Sequence, residues 1–254
     1  WGVSTPYTHV TSNGADTIYF SRSDTTSLID PVSRRNVLAC LYRKGALYRL
    51  DGTRICGVSS LPLIDHRRLD LVYDSTGPGG HPAFNLDIAL NCEGSPVIAF
   101  STLEPSLLHL HGVTNVYHVA EWAGQRWEVS RVAEGGPGIA TDGVHHHYSG
   151  GMALDRSRPG SVYVGVAGKR SAIQLWQSRA PGEPWGAVET LVRRHVPEDK
   201  CLRPVCPESS TGVVPVLWMR GRYDTYTDWQ TSVHWAYAAT AGSRGVEEED
   251  GMEQ

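Results

Sequence analysis

A tyrosine follows a short run of histidines and precedes small residues, where it could take part in proton transfer. Tyr148 follows His145, His146 and His147, and the small residues 149–151 leave room around its ring. In an extended chain His145 and His147 share a face. We select Tyr148 as a catalytic candidate and His147 as a substrate-binding candidate. The alternatives are a core tyrosine packed between sheets and a zinc site on the histidines, although we expect no metal.

Two arginines separated by a glycine form the second candidate group. Gly221 lets the backbone turn so that Arg220 and Arg222 fan out, with Tyr223 beside them and Tyr226 beyond. Arginine pairs with a carboxylate through two parallel hydrogen bonds, and a nearby positive charge favours the phenolate form of a tyrosine. We select Arg222 and Tyr223 as catalytic candidates, and Arg220 and Tyr226 as substrate-binding candidates. The alternative is a solvated loop that stacks on neighbouring tryptophans.

The third candidate is a histidine in a glycine-rich loop ahead of an apolar strand. His81 lies in the segment GPGGHPAFNLDIAL. Because imidazoles ordinarily titrate near neutral pH, it is a catalytic candidate, and the alternative is an ordinary loop histidine. No pair of acidic residues stands out, since Glu104, Glu121 and Glu128 fit surface positions.

The composition excludes several classes of partner. The chain has 254 residues, 40% hydrophobic and 20% charged, with a net charge of −4. It can bury a sizeable core but lacks the basic excess of nucleic-acid-binding proteins. No run of about 18 apolar residues is present, so we expect no membrane span. The five cysteines lack a CxxC spacing, and we expect most of them to be small buried hydrophobic residues.

Four similar units of short β-rich runs follow one another along the chain. Their strand-like runs are DTIYF and NVLACLYR, PVIAF and VYHVAEW, SVYVGV and IQLWQ, and VVPVLWM and TSVHWAYA. The first three units end on a glycine with an aromatic residue three positions later, which is typical of a tight turn before a packed strand. Radial repetition of such sheets buries both faces of each sheet. The pattern predicts an all-β chain, a β-propeller with about four blades.

One turn of the third unit has the spacing of a known propeller device. Ser178, Ala180, Gly182 and Trp185 stand in the register of the Asp box, Ser-x-Asp-x-Gly-x-x-Trp, with Ala180 in place of the aspartate. The Asp box shapes the fold and carries no chemistry, so we expect this change to affect stability and not activity.

Five segments carry a resemblance to a known family. They are PYTHVTSNGADTIYFSRSD, GALYRLDGTRI, LDIALNCEGSPVIAF, HYSGGMALD and LWMRGRYDTYTDW. Together they resemble the BNR (neuraminidase-repeat) propeller proteins, which include polysaccharide lyases. Because most such lyases have seven blades, the resemblance implies that the chain is the C-terminal part of a larger propeller; a closed four-bladed propeller is the alternative. We expect residues 1–240 to form a single domain and the acidic residues 241–254 to be a disordered tail.

The chemistry of the related lyases suits the candidate side chains. Such an enzyme neutralises the carboxylate of a uronate, removes the proton at C5 and stabilises the leaving oxygen at C4. Arginine suits the first task and histidine or tyrosine suits the others. On this resemblance we predict a polysaccharide lyase without a cofactor that acts on a polysaccharide or oligosaccharide and is extracellular or periplasmic.

One departure weakens the resemblance. Relatives often carry an arginine on the strand resembling SVYVGV, where Gly165 and Val166 stand here. A non-catalytic sugar-binding or structural propeller is therefore the second hypothesis. A sialidase-like hydrolase is the third, since only Arg220 and Arg222 suggest the three arginines that it needs.

Overall fold

The computed structural model describes residues 7–23, 36–59, 66–107, 112–140, 148–168, 170–180, 182–194, 199–207, 216–225 and 227–237. Within these ranges the regular secondary structure is β, apart from short 3-10 segments at residues 58–59 and at His66–Arg68. The strands form four sheets, so the predicted all-β class with four sheets is confirmed. No helix in the described ranges has the length and apolar character needed to cross a membrane.

The chain divides into two compact units. The first comprises Trp1–Leu108 with Gly112–Ala133, and the second comprises Glu134–Gln254 with His109–His111. Each unit contains two of the sheets. The strand Trp127–Gly136 of the first unit ends with three residues, 134–136, that belong to the second unit. The predicted single domain over residues 1–240 stays a prediction, and residues 241–254 lie outside the described ranges.

The first sheet has six strands. They are β1 (Thr8–Ser12), β2 (Thr17–Ser23), β3 (Val37–Arg43), β4 (Ala46–Tyr48), β5 (Arg54–Gly57) and β6 (Asp70–Tyr73). The strand β3 pairs with β4 along its second half and with β6 along its first half. The segment after Gly45 therefore forms a short hairpin in the sheet, where the sequence pattern indicated only a turn.

The second sheet has four long strands in the order β10-β9-β8-β7. They are β7 (Ala83–Leu90), β8 (Pro96–Pro105), β9 (Val113–Trp122) and β10 (Trp127–Gly136). One face packs on the first sheet through a buried cluster that includes Val37, Val72, Ile98, Phe100 and Ala120. Polar groups also join the two sheets, since the Asn85 amide nitrogen donates to Ser21 Oγ at 3.0 Å.

The second unit contains the third and fourth sheets. The third has β11 (Met152–Leu154), β12 (Ser161–Val166), β13 (Ser171–Gln177) and β14 (Gly186–Arg194), and the fourth has β15 (Lys200–Val205), β16 (Val216–Tyr223) and β17 (Trp229–Ala236). Their shared core includes Tyr163, Ile173, Leu175, Cys201 and Trp218. The predicted strand runs match these strands. The predicted run VVPVLWM includes residues 213–215, which lie outside the described ranges.

Polar side chains shape the hairpin that opens three of the sheets. Asn13 Oδ1 accepts backbone N–H groups in the β1–β2 turn, and Asn91 Oδ1 does so in the β7–β8 turn. In the β11–β12 turn the buried Asp155 accepts from Ser157 N at 3.0 Å and from Arg158 Nε at 2.7 Å. Such side-chain acceptors stabilise turns locally, so each first strand has a fixed start and end.

The turn that has the spacing of an Asp box forms without an aspartate. Ser178 Oγ lies 2.7 Å from the carbonyl oxygen of Ala180 and 3.1 Å from that of Glu183, and can donate to either. Gly182 has a φ of +79°, a left-handed conformation that favours glycine. The serine hydroxyl and the glycine therefore hold this turn.

The cysteines are free thiols. Cys40, Cys201 and Cys206 are buried, as predicted for most of them, while Cys92 is exposed. Burial raises the pKa of Cys40 to about 12 and that of Cys201 to about 11, so both thiols stay protonated at neutral pH.

Candidate functional site

The described candidate side chains divide between the two units. His81 stands two residues before β7 in the first unit, and Tyr148 stands four residues before β11 in the second. Arg220, Arg222 and Tyr223 lie on β16. The remaining candidates His147 and Tyr226 lie outside the described residues, as do His145 and His146.

Within the second unit, Tyr148 and Tyr223 come together. Both half-buried rings pack against the buried cluster of Ile139, Ala167 and Leu202. The carbonyl of Tyr148 also accepts a hydrogen bond from Ile139 N at 2.8 Å. Two predicted tyrosines that lie far apart in the chain thus share one patch.

A lysine that the sequence analysis did not select joins this patch. Lys200 opens β15, and its ammonium donates to the carbonyl oxygens of Ile139 at 2.6 Å and Tyr223 at 2.7 Å. The lysine thereby ties the ends of two segments together and adds a positive charge beside the tyrosines. Nothing in its local sequence distinguishes it from a surface lysine.

A second cation lies against Tyr148 itself. The Arg203 guanidinium carbon lies 5.6 Å from the centre of the Tyr148 ring, within the range of a cation–π contact. The sequence analysis did not select Arg203 either. The candidate site of the second unit therefore contains two phenols and two cations, a set that can bind an anion and move a proton.

The two predicted arginines of β16 are already paired with acids. Arg220 binds Asp199 through two parallel contacts, Nε to Oδ1 at 2.9 Å and Nη2 to Oδ2 at 3.0 Å. Arg222 binds Asp228 and Asp224, and these hydrogen bonds raise the pKa of the guanidinium. A sugar carboxylate at either arginine would compete with these aspartates, so both roles stay predictions.

The position where relatives carry an arginine has no room for a side chain. A Cβ atom on Gly165 would lie 2.3 Å from the carbonyl oxygen of Gly150, and one on Gly150 would lie 2.3 Å from that of Gly165. The backbone at the start of the third sheet thus packs directly on β12. The glycine is a packing requirement of this chain, so position 165 cannot place a cation beside Tyr148.

In the first unit, His81 is held by a tyrosine and lies near a second histidine. The backbone N–H of His81 donates to the Tyr73 hydroxyl at 3.0 Å. The rings of Tyr73 and His118 both lie against Phe100, each with its centre 5.1 Å from the Phe100 ring. Burial raises the pKa of the Tyr73 phenol. His118 lies in the predicted strand run VYHVAEW, which is part of β9, and it was not among the residues selected from the sequence.

His118 belongs to a polar network at the end of β8. Its Nε2 lies 2.9 Å from Thr102 Oγ1, whose hydroxyl donates to Glu104 Oε1 at 3.0 Å, so Nε2 carries a proton. Arg131 Nη1 donates to the other oxygen of Glu104 at 3.4 Å. Burial lowers the pKa of His118 to about 4 despite the nearby carboxylate. The expected surface position of Glu104 is wrong, because its side chain is only 21% exposed and bridges these groups.

These contacts give each unit one candidate set of proton-transfer and charged groups. The first contains His81, Tyr73 and the neutral His118, and the second contains Tyr148, Tyr223 and two cations. Within the described residues no group of three histidine, cysteine, aspartate or glutamate side chains has the geometry to hold a metal ion.

Comparison with known proteins shows a likeness of fold. No family model and no curated protein matches the chain, so membership of the neuraminidase-repeat family stays a prediction. Among solved structures, 92% of the chain superposes on a polysaccharide lyase of family PL25, an ulvan lyase, with a TM-score of 0.62 at 13% identity. The same lyase bound to -[GlcA(1-4)Rha3S]- gives 0.58 at 12%. An α-L-arabinanase of Penicillium chrysogenum complexed with arabinobiose gives 0.55 at 11%, again over 92% of the chain.

These neighbours are β-propeller enzymes, so the all-β chain has a propeller-like fold. The chain spans 51% of the ulvan lyase and 63% of the arabinanase. None of the four sheets closes on itself within the described residues, and the number of blades in the whole protein stays a prediction.

Proposed function

We propose that this chain belongs to a carbohydrate-active propeller that cleaves a uronic-acid polymer by β-elimination. The observation that carries the proposal is that side chains able to transfer a proton or bind an anion stand at the start of successive sheets. His81 precedes β7, Tyr148 precedes β11, and Lys200 is the first residue of β15. Within the second unit, Tyr148, Tyr223 and Lys200 lie at one patch, which supports the proposal.

The reaction requires a base, an acid and a cation. The base takes the proton from C5 of the uronate, and the electrons of that bond form the double bond between C4 and C5 while the C4–O bond breaks. The leaving oxygen then takes a proton from the acid. His81 and Tyr148 are proposed for the proton transfers, with Tyr223 beside Tyr148. The other predicted residues, Arg220, Arg222, His147 and Tyr226, are proposed to contact the sugar, and no metal or cofactor is proposed.

One fold neighbour supports the proposed substrate class, since it was solved with a glucuronate-containing saccharide. A polymer of this kind is too large to enter a cell intact, and we therefore propose an extracellular or periplasmic location.

The test is the appearance of an unsaturated uronate. Incubation with ulvan or gum arabic should raise the ultraviolet absorbance, and Tyr148→Phe should suppress the signal by about 100-fold or more, at the lower end of what a proton-transfer group contributes. Tyr237→Phe, at an exposed tyrosine that follows β17, is the matched control and should keep the activity. Absence of product from every uronate polymer would remove the lyase proposal.

A non-catalytic sugar-binding propeller is the second candidate. It is favoured by the aspartates already paired with Arg220 and Arg222, and by the packed glycine at position 165. Calorimetry that detects oligosaccharide binding without any unsaturated product would select this function. The sialidase-like hydrolase stays third, because it requires a set of arginines free to bind one carboxylate.

A further inference from the structure

Arg203 has an unusual backbone conformation in the middle of β15. Its φ is +54°, and among the described residues only Lys44 shares a positive φ without being a glycine. The pairing of β15 with β16 slips at this point, because Leu202 faces Met219 while Val205 faces Leu217. A left-handed conformation costs free energy for an arginine, so the surrounding structure must hold it.

The contacts that hold this bulge come from the loop after Tyr148. Arg203 N donates to the carbonyl oxygen of Gly150 at 2.5 Å. A Cβ atom on Gly151 would lie 3.0 Å from the α-carbon of Arg203, so the glycine allows the two backbones to approach. The strained residue and the loop of Tyr148 therefore form one rigid junction.

The side chain of Arg203 extends from this junction over Tyr148. Its guanidinium lies 5.6 Å from the ring centre, and the residue is half-buried. No carboxylate of the described residues pairs with it, in contrast to Arg220 and Arg222. The neighbouring cation, Lys200, donates instead to two backbone carbonyls.

We infer that Arg203 is the carboxylate-binding residue of the Tyr148 site. Its guanidinium presents parallel N–H donors that match a carboxylate, and its planar group can lie on a ring at the same time. The inference rests on the proposed function for the identity of the ligand, a uronate. It also explains how the site has a cation although Gly165 admits no side chain: the charge comes from β15 of the fourth sheet.

The binding test compares variants of similar size and different charge. Affinity for an ulvan oligosaccharide, measured by calorimetry, should fall by about 10-fold or more in Arg203→Gln and less in Arg203→Lys, as expected for the loss of a charge-assisted pair. Once the carboxyl groups of this oligosaccharide are reduced to alcohols, both variants should bind it with the same affinity as wild type. Arg193→Gln, at an exposed arginine of β14, is the control and should change neither affinity. Equal affinity of Arg203→Gln and wild type for the acidic sugar would overturn the inference.

A second measurement does not depend on any sugar. The ultraviolet titration of Tyr148, obtained as the difference between wild type and Tyr148→Phe, should shift upward by about 0.5–1 pH unit in Arg203→Gln, because a cation favours the phenolate. Lys200 and Tyr223 are the other titratable groups of this patch, and both are unchanged in the comparison. If the titration of Tyr148 is the same in Arg203→Gln as in the protein with Arg203, the Arg203 charge does not act on Tyr148, which would contradict the inference.

The two measurements separate this inference from the proposed function. Suppose that Arg203→Gln loses binding of the acidic sugar and that the wild-type protein forms no unsaturated product. This result would refute the lyase proposal but would keep Arg203 as the carboxylate-binding residue. If Arg203→Gln fails to fold, Arg203→Gly replaces it, since a glycine accepts the φ of +54° readily.

Discussion

At the scale of single residues, His118 shows how burial sets the charge of a group. Its side chain is 12% exposed and lies against Phe100, and its Nε2–H donates to Thr102. The cost of moving a charge into this environment exceeds the attraction of Glu104, so the imidazole stays neutral.

The lowered pKa of His118 predicts a pH dependence of stability. Its pKa is about 4 in the folded protein against 6.5 in the reference state, so the unfolded chain binds the proton first. The free energy of unfolding should therefore decrease as the pH falls from about 6.5 to about 4, by about 3 kcal/mol, and this contribution should level off below about pH 4. Urea unfolding at neutral pH and at about pH 4 measures it.

The matched variant is His118→Gln, which keeps a hydrogen-bonding side chain and cannot titrate. The difference in unfolding free energy between wild type and this variant should change by about 3 kcal/mol between about pH 6.5 and about pH 4. A constant difference would show that His118 is not the titrating group.

The sequence identified some site residues and missed others for a physical reason. Tyr148 and His81 were selected because glycines and small residues flank them locally. Glu104, Lys200 and Arg203 gained their roles from distant partners: Arg131 lies 27 positions from Glu104, and Ile139 lies 61 positions from Lys200. Such pairings depend on the strand register, which a single sequence does not reveal.

At the scale of elements, the close approach of β12 to the loop before β11 depends on glycines. Gly165→Ala should destabilise the protein by about 1–3 kcal/mol, because its Cβ would lie 2.3 Å from the Gly150 carbonyl oxygen. Gly186→Ala is the control, since nothing lies within 4 Å of its added Cβ. Thermal unfolding should separate the two variants, and equal melting temperatures would contradict the packing described here.

The aromatic residue that ends the second repeat unit is expected to be structural. Trp127 packs on the core between the first two sheets and contacts the Trp122 ring edge-on, with centres 5.5 Å apart. Because it is half-buried, Trp127→Ala should cost about 3 kcal/mol, at the lower end of the range for core aromatics. Denaturant unfolding measures this loss, and a variant as stable as wild type would refute its role in the core.

The element pattern was well predicted where local signals were strong. Alternating apolar runs and glycine turns marked most strands, including β8, β9 and β12. The hairpin of β4 and β5 was missed, since its strands are three and four residues long and pair only at the edge of the first sheet. Short strands carry too few residues for a period of two to show.

At the scale of the whole molecule, four sheets and the likeness to propeller enzymes over 92% of the chain define the fold. Repeat spacing in the sequence predicted the four sheets, because three of the four units repeat the same glycine turn. The arrangement of the sheets around an axis stays a prediction. Far-UV circular dichroism should show less than about a fifth helix, well below the average for globular proteins. A larger helical signal would contradict the all-β fold.

The central claim is that Tyr148 acts on a sugar whose carboxylate Arg203 binds. A crystal structure of Tyr148→Phe with a bound glucuronate-containing ulvan oligosaccharide tests it most directly. We predict that the sugar carboxylate lies within hydrogen-bond distance of Arg203 and that the ring at position 148 lies against the same sugar. A sugar bound away from Arg203 and position 148 would contradict the claim.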